Sequence, residues 1–203
     1  QKKALGTAHA LKTALPHVSK DNLLVLLGDV PLLSELTISK LQEEIKKNDL
    51  VVLTGTVDNP SGYGRICKDP DGKPSAIIEE LDCDDEQRKI KEINSGIMAF
   101  KRSVAANLVG KIKSNPKKNE YYLTDAIEIA YHEGIQASTY STSEEEVFGV
   151  NSKRDLAVAE KINRKNVTDK LMDSGVTIID TNRVDVRGTL SCGQNVTIDV
   201  NTV

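Results

Sequence analysis

The stretch Leu23-Leu24-Val25-Leu26-Leu27 runs into Gly28-Asp29-Val30-Pro31. An apolar run this short, with Leu and Val on both faces, reads as a strand buried on both sides. Strands at the centre of a parallel α/β sheet have this composition. Ligands of open α/β sheets lie outside the carboxyl ends of the strands. Asp29 stands at that end, where the chain must turn. A carboxylate there can hold Mg²⁺ against a phosphate, because hard divalent cations take oxygen ligands. It can equally cap the turn before Pro31, and this stretch alone leaves both readings open.

The flanking pattern alternates helix and strand. Ala8, Leu11, Ala14 and Leu15 fall at helical spacing and Pro16 stops the helix. Ser34 or Thr37 can cap a second helix whose buried stripe is Ile38, Leu41 and Ile45. Residues 50–57 form an apolar, β-branched strand, which completes a βαβ unit. Asp69-Pro70-Asp71-Gly72 predicts a hairpin joining residues 63–68 to residues 76–80. Residues 90–100 return to strand, interrupted by Asn94-Ser95-Gly96, where a glycine marks a bulge or a close approach. Thr124 is the expected N-cap of a helix that Gly134 ends. A short strand is expected around Val147 and Phe148. Residues 155–172 read as one long charged helix of the kind that forms an arm or linker.

Composition narrows the function classes. The chain has 203 residues, enough for one large domain or a domain with an appendage, and 38% of them are hydrophobic. A formal charge of −3 gives no electrostatic case for nucleic-acid binding. Cys67, Cys83 and Cys192 are widely spaced and odd in number, which indicates neither a zinc site nor a disulfide framework. A cytoplasmic location is expected. No apolar run approaches membrane-spanning length. The start at Gln1-Lys2-Lys3 lacks Met and a signal peptide's apolar core, as if the chain were entered in its middle.

Several polar positions can meet a ligand. Gly6-Thr7 offers backbone N–H groups at a helix start, though a plain helix start uses the same residues. His9 is read as a packing or capping residue. Gly62 and Gly64 flank Tyr63 and allow close backbone approach or a turn. Glu79 follows two isoleucines and is either a ligand acid or a solvated one. Asn94 can read a sugar hydroxyl or an amide, since it carries donors and acceptors. The paired Tyr121 and Tyr122 are core or ligand wall.

The last segment changes character. Ile178, Val184, Leu190 and Val196 recur every six residues, and Val186, Cys192 and Ile198 follow the same period. A six-residue period belongs to parallel β-helices.

In order, the motifs are Gly-Thr at 6–7, Leu-Gly-Asp-Val-Pro at 27–31, Gly-Tyr-Gly-Arg-Ile at 62–66, Ile-Ile-Glu at 77–79, Glu-Ile-Asn-Ser-Gly at 92–96, Glu-Tyr-Tyr-Leu-Thr-Asp at 120–125 and Gly-Val-Asn at 149–151. With the helix and the hexapeptide tail, this set resembles the bacterial bifunctional UDP-N-acetylglucosamine pyrophosphorylase / glucosamine-1-phosphate N-acetyltransferase family over the whole chain. The resemblance implies an α/β fold with three parts. Residues 1–152 would be a Rossmann-like nucleotidyltransferase domain, truncated at its N-terminus. Residues 153–175 would be a linker helix, and residues 176–203 the start of a left-handed parallel β-helix.

By the same resemblance, Gln1, Gly6 and Thr7 read the uracil end of UTP. Leu27 and Gly28 line the nucleotide, and Asp29 and Asn151 hold Mg²⁺. Gly64, Glu79 and Asn94 hold the N-acetylglucosamine, with Tyr122 and Thr124 near the sugar. The implied substrates are UTP and N-acetylglucosamine-1-phosphate, with acetyl-CoA and glucosamine-1-phosphate used by the second activity. A homotrimer through the β-helix is implied, as is a role in cell-envelope precursor synthesis. The family's glycine-rich loop would precede Gln1 and most of its β-helix would follow Val203. The 203 residues alone are therefore expected to show little or no activity. The rival readings are a pyrophosphorylase for another sugar nucleotide and an inactive trimerising scaffold.

Overall fold

A run of apolar residues buried on both faces is present, but it is residues 50–53 rather than residues 23–27. A computed structural model describes the whole chain except Lys2 and Lys117. It divides into two units, Gln1–Val147 and Phe148–Val203.

The first unit contains helices α1 (Thr7–Ala14), α2 (Glu35–Glu44), α3 (Arg102–Lys111) and α4 (Asp125–His132). Its strands are β1 (Asn22–Val25), β2 (Leu50–Thr56), β3 (Arg65–Lys68), β4 (Pro74–Ile78), β5 (Glu92–Lys101) and β6 (Ala137–Thr142). They form one mixed sheet in the order β4-β3-β5-β2-β6, with β1 also paired to β5. Only β2 and β6 run parallel; the other pairs are antiparallel.

Side chains alternate across a strand, and β2 uses both directions. Leu50 and Val52 enter a core shared with α1, α3 and α4. Val51 and Leu53 enter a second core with Leu41 and Ile45 beneath α2. All four strand residues are completely buried. Ser34 caps α2, its Oγ accepting the Thr37 N–H at 3.1 Å.

The expectation for residues 23–27 is corrected in two respects. Strand β1 is short and half-buried, and it pairs antiparallel to β5 alone. Leu26, past its end, is 51% exposed. The expected strand around Val147 is a turn followed by irregular chain. The hairpin of β3 and β4 is as expected, with Arg65 opposite Ile78.

The second unit begins with α5 (Lys153–Asp173). Ser152 caps it, its Oγ accepting the Asp155 N–H at 3.2 Å, and Asp155 Oδ2 accepts the Asn151 N–H in return at 3.1 Å. This reciprocal exchange satisfies donors that a helix start otherwise leaves open. Past Gly175, β7 (Thr177–Ile178) pairs parallel with β8 (Thr197–Ile198). Val176, Val184 and Ile198 form a small core with Ile178, Val186 and Cys192 around it. Leu190 and Val196, of the same six-residue period, are exposed. Among the described residues no helix is long and apolar enough to cross a membrane, and the three cysteines are free thiols.

Candidate functional site

The site grows from an irregularity in β5. Val52 pairs with Met98, but Thr54 pairs with Asn94, so β5 carries extra residues at 95–97. Gly96 takes φ +78° there, a conformation that side chains with a Cβ rarely adopt. Ser95 Oγ donates to the Leu53 carbonyl at 2.7 Å and accepts the Ile97 N–H at 3.1 Å, replacing the interrupted ladder bonds. Asn94 Oδ1 accepts the Gly96 N–H at 3.0 Å. That bond fixes the Asn94 side chain and leaves its amide nitrogen without a partner among the described residues. A Cβ on Gly96 would lie 2.2 Å from Leu27 Cδ1. Leu27 therefore rests directly on the bulge, which brings the turn after β1 against β5.

Gly64 connects Asn94 to Glu79. Its carbonyl accepts the Asn94 N–H at 2.8 Å. A Cβ built on it would lie 3.6 Å from both Asn94 Cβ and Glu79 Oε2. Thr124 Oγ1 donates to Glu79 Oε1 at 3.1 Å. The expected capping role of Thr124 is corrected: its φ of −59° and ψ of −30° are already helical, and its side chain makes no cap bond. Next to it, burial pushes the Asp125 carboxyl up, and the charges of Glu128 and Glu79 add to the effect. Leu27, Gly64, Glu79, Asn94 and Thr124 are thus linked by successive contacts: Leu27 rests on the bulge, Asn94 is bonded to Gly64, and Glu79 lies beside Gly64 and is bonded to Thr124. Tyr122 is half-buried two residues before Thr124, with the Lys118 Nζ 5.9 Å from its ring centre.

Gln1, Gly6 and Thr7 gather at a second place. The Gln1 side-chain nitrogen lies 3.2 Å from the Gly6 carbonyl and 2.8 Å from His9 Nδ1. Gly6 has φ +96°, and a Cβ there would lie 2.5 Å from the Tyr121 carbonyl oxygen. Ala8 N–H donates to that oxygen at 3.0 Å, and Thr7 Oγ1 accepts the Leu123 N–H at 3.0 Å. These residues join the start of α1 to the chain that leads into Thr124. The glycine is required by the approach of one backbone to another.

Asp29 is exposed, and its carboxylate makes no bond among the described residues. Gly28 beside it borders open space. Among the described residues no three His, Cys, Asp or Glu side chains form a cage for a metal ion. One open carboxylate does suit Mg²⁺, which keeps several waters and binds through one or two carboxylates plus substrate phosphates. Asn151 lies in the second unit, exposed, just ahead of the α5 cap.

Sequence reading missed Arg65. It opens β3 with 1% of its surface exposed. Its Nη2 lies 2.6 Å from Glu80 Oε2 and its Nη1 donates to the Tyr63 carbonyl. The Arg65 hydrogen bond holds the Glu80 carboxyl below the ordinary range. The hairpin offered a signal: a register that sets Arg65 opposite Ile78 brings residue 80 near residue 63.

Comparison with known proteins identifies the family. Over its full length the chain is 45% identical to "Bifunctional protein GlmU" of Paraburkholderia phymatum and 43% identical to the protein of that name in an Azoarcus species. It spans 45% of each, so it covers about half the length of the curated relatives it matches. The crystal structure of HddC from Yersinia pseudotuberculosis superposes with a TM-score of 0.54 at 19% identity, over 78% of this chain and 63% of that one. That likeness is one of fold. The model of the family described as "Nucleotidyl transferase" matches residues 1–148, and the chain belongs to that family.

Proposed function

We propose that this chain supplies the uridylyltransferase part of a bifunctional enzyme that makes UDP-N-acetylglucosamine and pyrophosphate from UTP and N-acetylglucosamine-1-phosphate. The observation that carries the reading is the joining of Gly64, Glu79 and Asn94 beside Leu27, in a chain 45% identical to a GlmU protein along its whole length. An oxygen of the sugar phosphate attacks the α-phosphorus of UTP. The new O–P bond forms as the bond to the diphosphate breaks, and pyrophosphate leaves with the electron pair. Positioning and charge neutralisation carry such a transfer, so no side-chain nucleophile is required.

Each residue then has a task. The free amide nitrogen of Asn94 donates to an oxygen of the N-acetylglucosamine. Glu79, steadied by Thr124, accepts from sugar hydroxyls, and the missing Cβ of Gly64 leaves room for the ring. Tyr122 flanks the sugar. Leu27 and Gly28 line the nucleotide, and Gln1, Gly6 and Thr7 take the uracil end. In the first unit Asp29 is the residue that would hold Mg²⁺. When bound, Mg²⁺ supplies neutralisation of phosphate charge.

The remaining parts follow the same reading. Residues 1–152 are the uridylyltransferase domain, residues 153–175 a linking helix and residues 176–203 the first turns of a left-handed β-helix. The parallel pairing of β7 with β8 and the shared apolar cluster support the last assignment. The β-helix would trimerise the protein and carry an acetyl-CoA-dependent acetylation of glucosamine-1-phosphate. A cytoplasmic location fits soluble nucleotide substrates. The test is a pyrophosphate-release assay on the protein expressed from its complete reading frame. Release should require UTP, Mg²⁺ and N-acetylglucosamine-1-phosphate together. Faster turnover with another sugar phosphate would overturn the assignment.

A further inference from the structure

We propose that Arg65 is a positioning residue for the sugar side of the site, its buried guanidinium tying the chain just before Gly64 to the chain just after Glu79. The inference rests on the function proposed above.

Gly64 and Glu79 meet in space but lie on opposite arms of the β3–β4 hairpin. Arg65 Nη1 donates to the Tyr63 carbonyl, one residue before Gly64. Arg65 Nη2 donates to Glu80 Oε2 at 2.6 Å, one residue after Glu79. Glu80 Oε2 also accepts the Gly62 N–H at 3.3 Å. The guanidinium and one carboxylate thus close a ring of bonds around the two sugar-facing positions.

A buried ion pair is weak support for stability alone, since apolar residues of similar volume often serve as well. Here the Arg65 Nε is buried and has no partner among the described residues. The group is placed for the two bonds its ends make, at the expense of the third. An apolar side chain would fill the space without fixing either arm. Lysine would keep the charge but lose the planar fork that reaches two acceptors at once.

Two variants and two measurements test this. Glu80→Gln keeps shape and removes charge at a side chain that is 29% exposed, so the hairpin should still fold. Arg65→Lys keeps the buried charge and removes the fork. In the protein from its complete reading frame, each should raise KM for N-acetylglucosamine-1-phosphate about tenfold, the scale of one hydrogen bond to a charged group. KM for UTP should stay within about twofold, because nothing on the nucleotide side is released. Hydrogen exchange at the Gly62 amide should speed up while β2 keeps its protection. Equal rises in both KM values, no rise in either, or unchanged exchange at Gly62 would overturn the inference. If Arg65→Lys fails to fold, Glu80→Gln decides alone. A wild-type protein that transfers no uridylyl group refutes the proposed function and this inference with it. Intact wild-type transfer without the KM split refutes the inference alone.

Discussion

Asn94 commits its side-chain oxygen to Gly96 and keeps its nitrogen open. Replacing it with alanine removes a polar partner from the sugar and leaves bound groups unpaired, a loss on which sites discriminate strongly. Asn94→Ala should raise KM for the sugar phosphate about tenfold and that for UTP much less; steady-state kinetics with the opposite order would reject the assignment. Asp125, close by, is a test of electrostatics. Burial raises its folded-state pKa above the ordinary value, so above that folded value the ionised acid opposes folding. The penalty fades as the acid is protonated. Asp125→Asn should therefore raise Tm at neutral pH, and the gain should vanish below about pH 4. A gain that is the same at every pH would mean that charge is not the cause. At this scale the sequence was half legible. Asn94 and Glu79 could be singled out by type and setting. The approach of Gly6 to Tyr121 and the bond of Thr7 to Leu123 could not, because each spans more than a hundred residues.

Among elements, the bulge of β5 was the most legible, since Asn-Ser-Gly is out of place in an apolar strand unless the ladder breaks there. Its hydrogen bonding yields a stability prediction. Ser95→Ala removes the donor to the buried Leu53 carbonyl and the acceptor for Ile97 N–H. Leaving such groups unpaired costs about 1–3 kcal/mol. Urea unfolding should show that loss, and a change below about 0.5 kcal/mol would mean the ladder closes without the hydroxyl. Strand β1 departs from expectation because an apolar run fixes neither which strands it pairs with nor how deeply it is covered. Leu23, Leu24 and Val25 are half-buried against the two cores, and among the described residues β5 is the one strand they pair with. The cap of α2 was open to sequence, since Ser34 acts on chain three residues away; Ser152 caps α5 at the same spacing, but the sequence reading began that helix at Asp155.

Across the whole first unit, the sheet separates two cores, and β2 belongs to both. Val51 and Val52 are adjacent in sequence but share no core. Each truncation to alanine should cost about 1–3 kcal/mol from lost burial and the cavity left behind. The double variant should cost their sum within about 0.5 kcal/mol, as for sites without common partners. Coupling above about 1 kcal/mol on chemical denaturation would show that the two layers respond as one. The mixed character of the sheet was not legible. Helix and strand alternation suggests parallel order, but β5 returns between β2 and β3 and reverses the direction of most pairs. Which strands become neighbours depends on contacts between distant segments, and no local pattern records them.

The seat of Leu27 on Gly96 has a consequence for how this protein can change by substitution. Neither position is free to vary without regard to the other. A methyl group at residue 96 meets Leu27 and also strains a backbone at φ +78°, whereas Leu27→Ala alone only opens space. The pair should be epistatic: Leu27→Ala should rescue the crowding part of a Gly96→Ala defect and leave the dihedral part, about 1–3 kcal/mol, in place. A double-mutant cycle on stability reads both parts separately, and strictly additive losses would mean that the contact carries no constraint. Lineages that enlarge residue 96 should then be found to have shrunk residue 27 first.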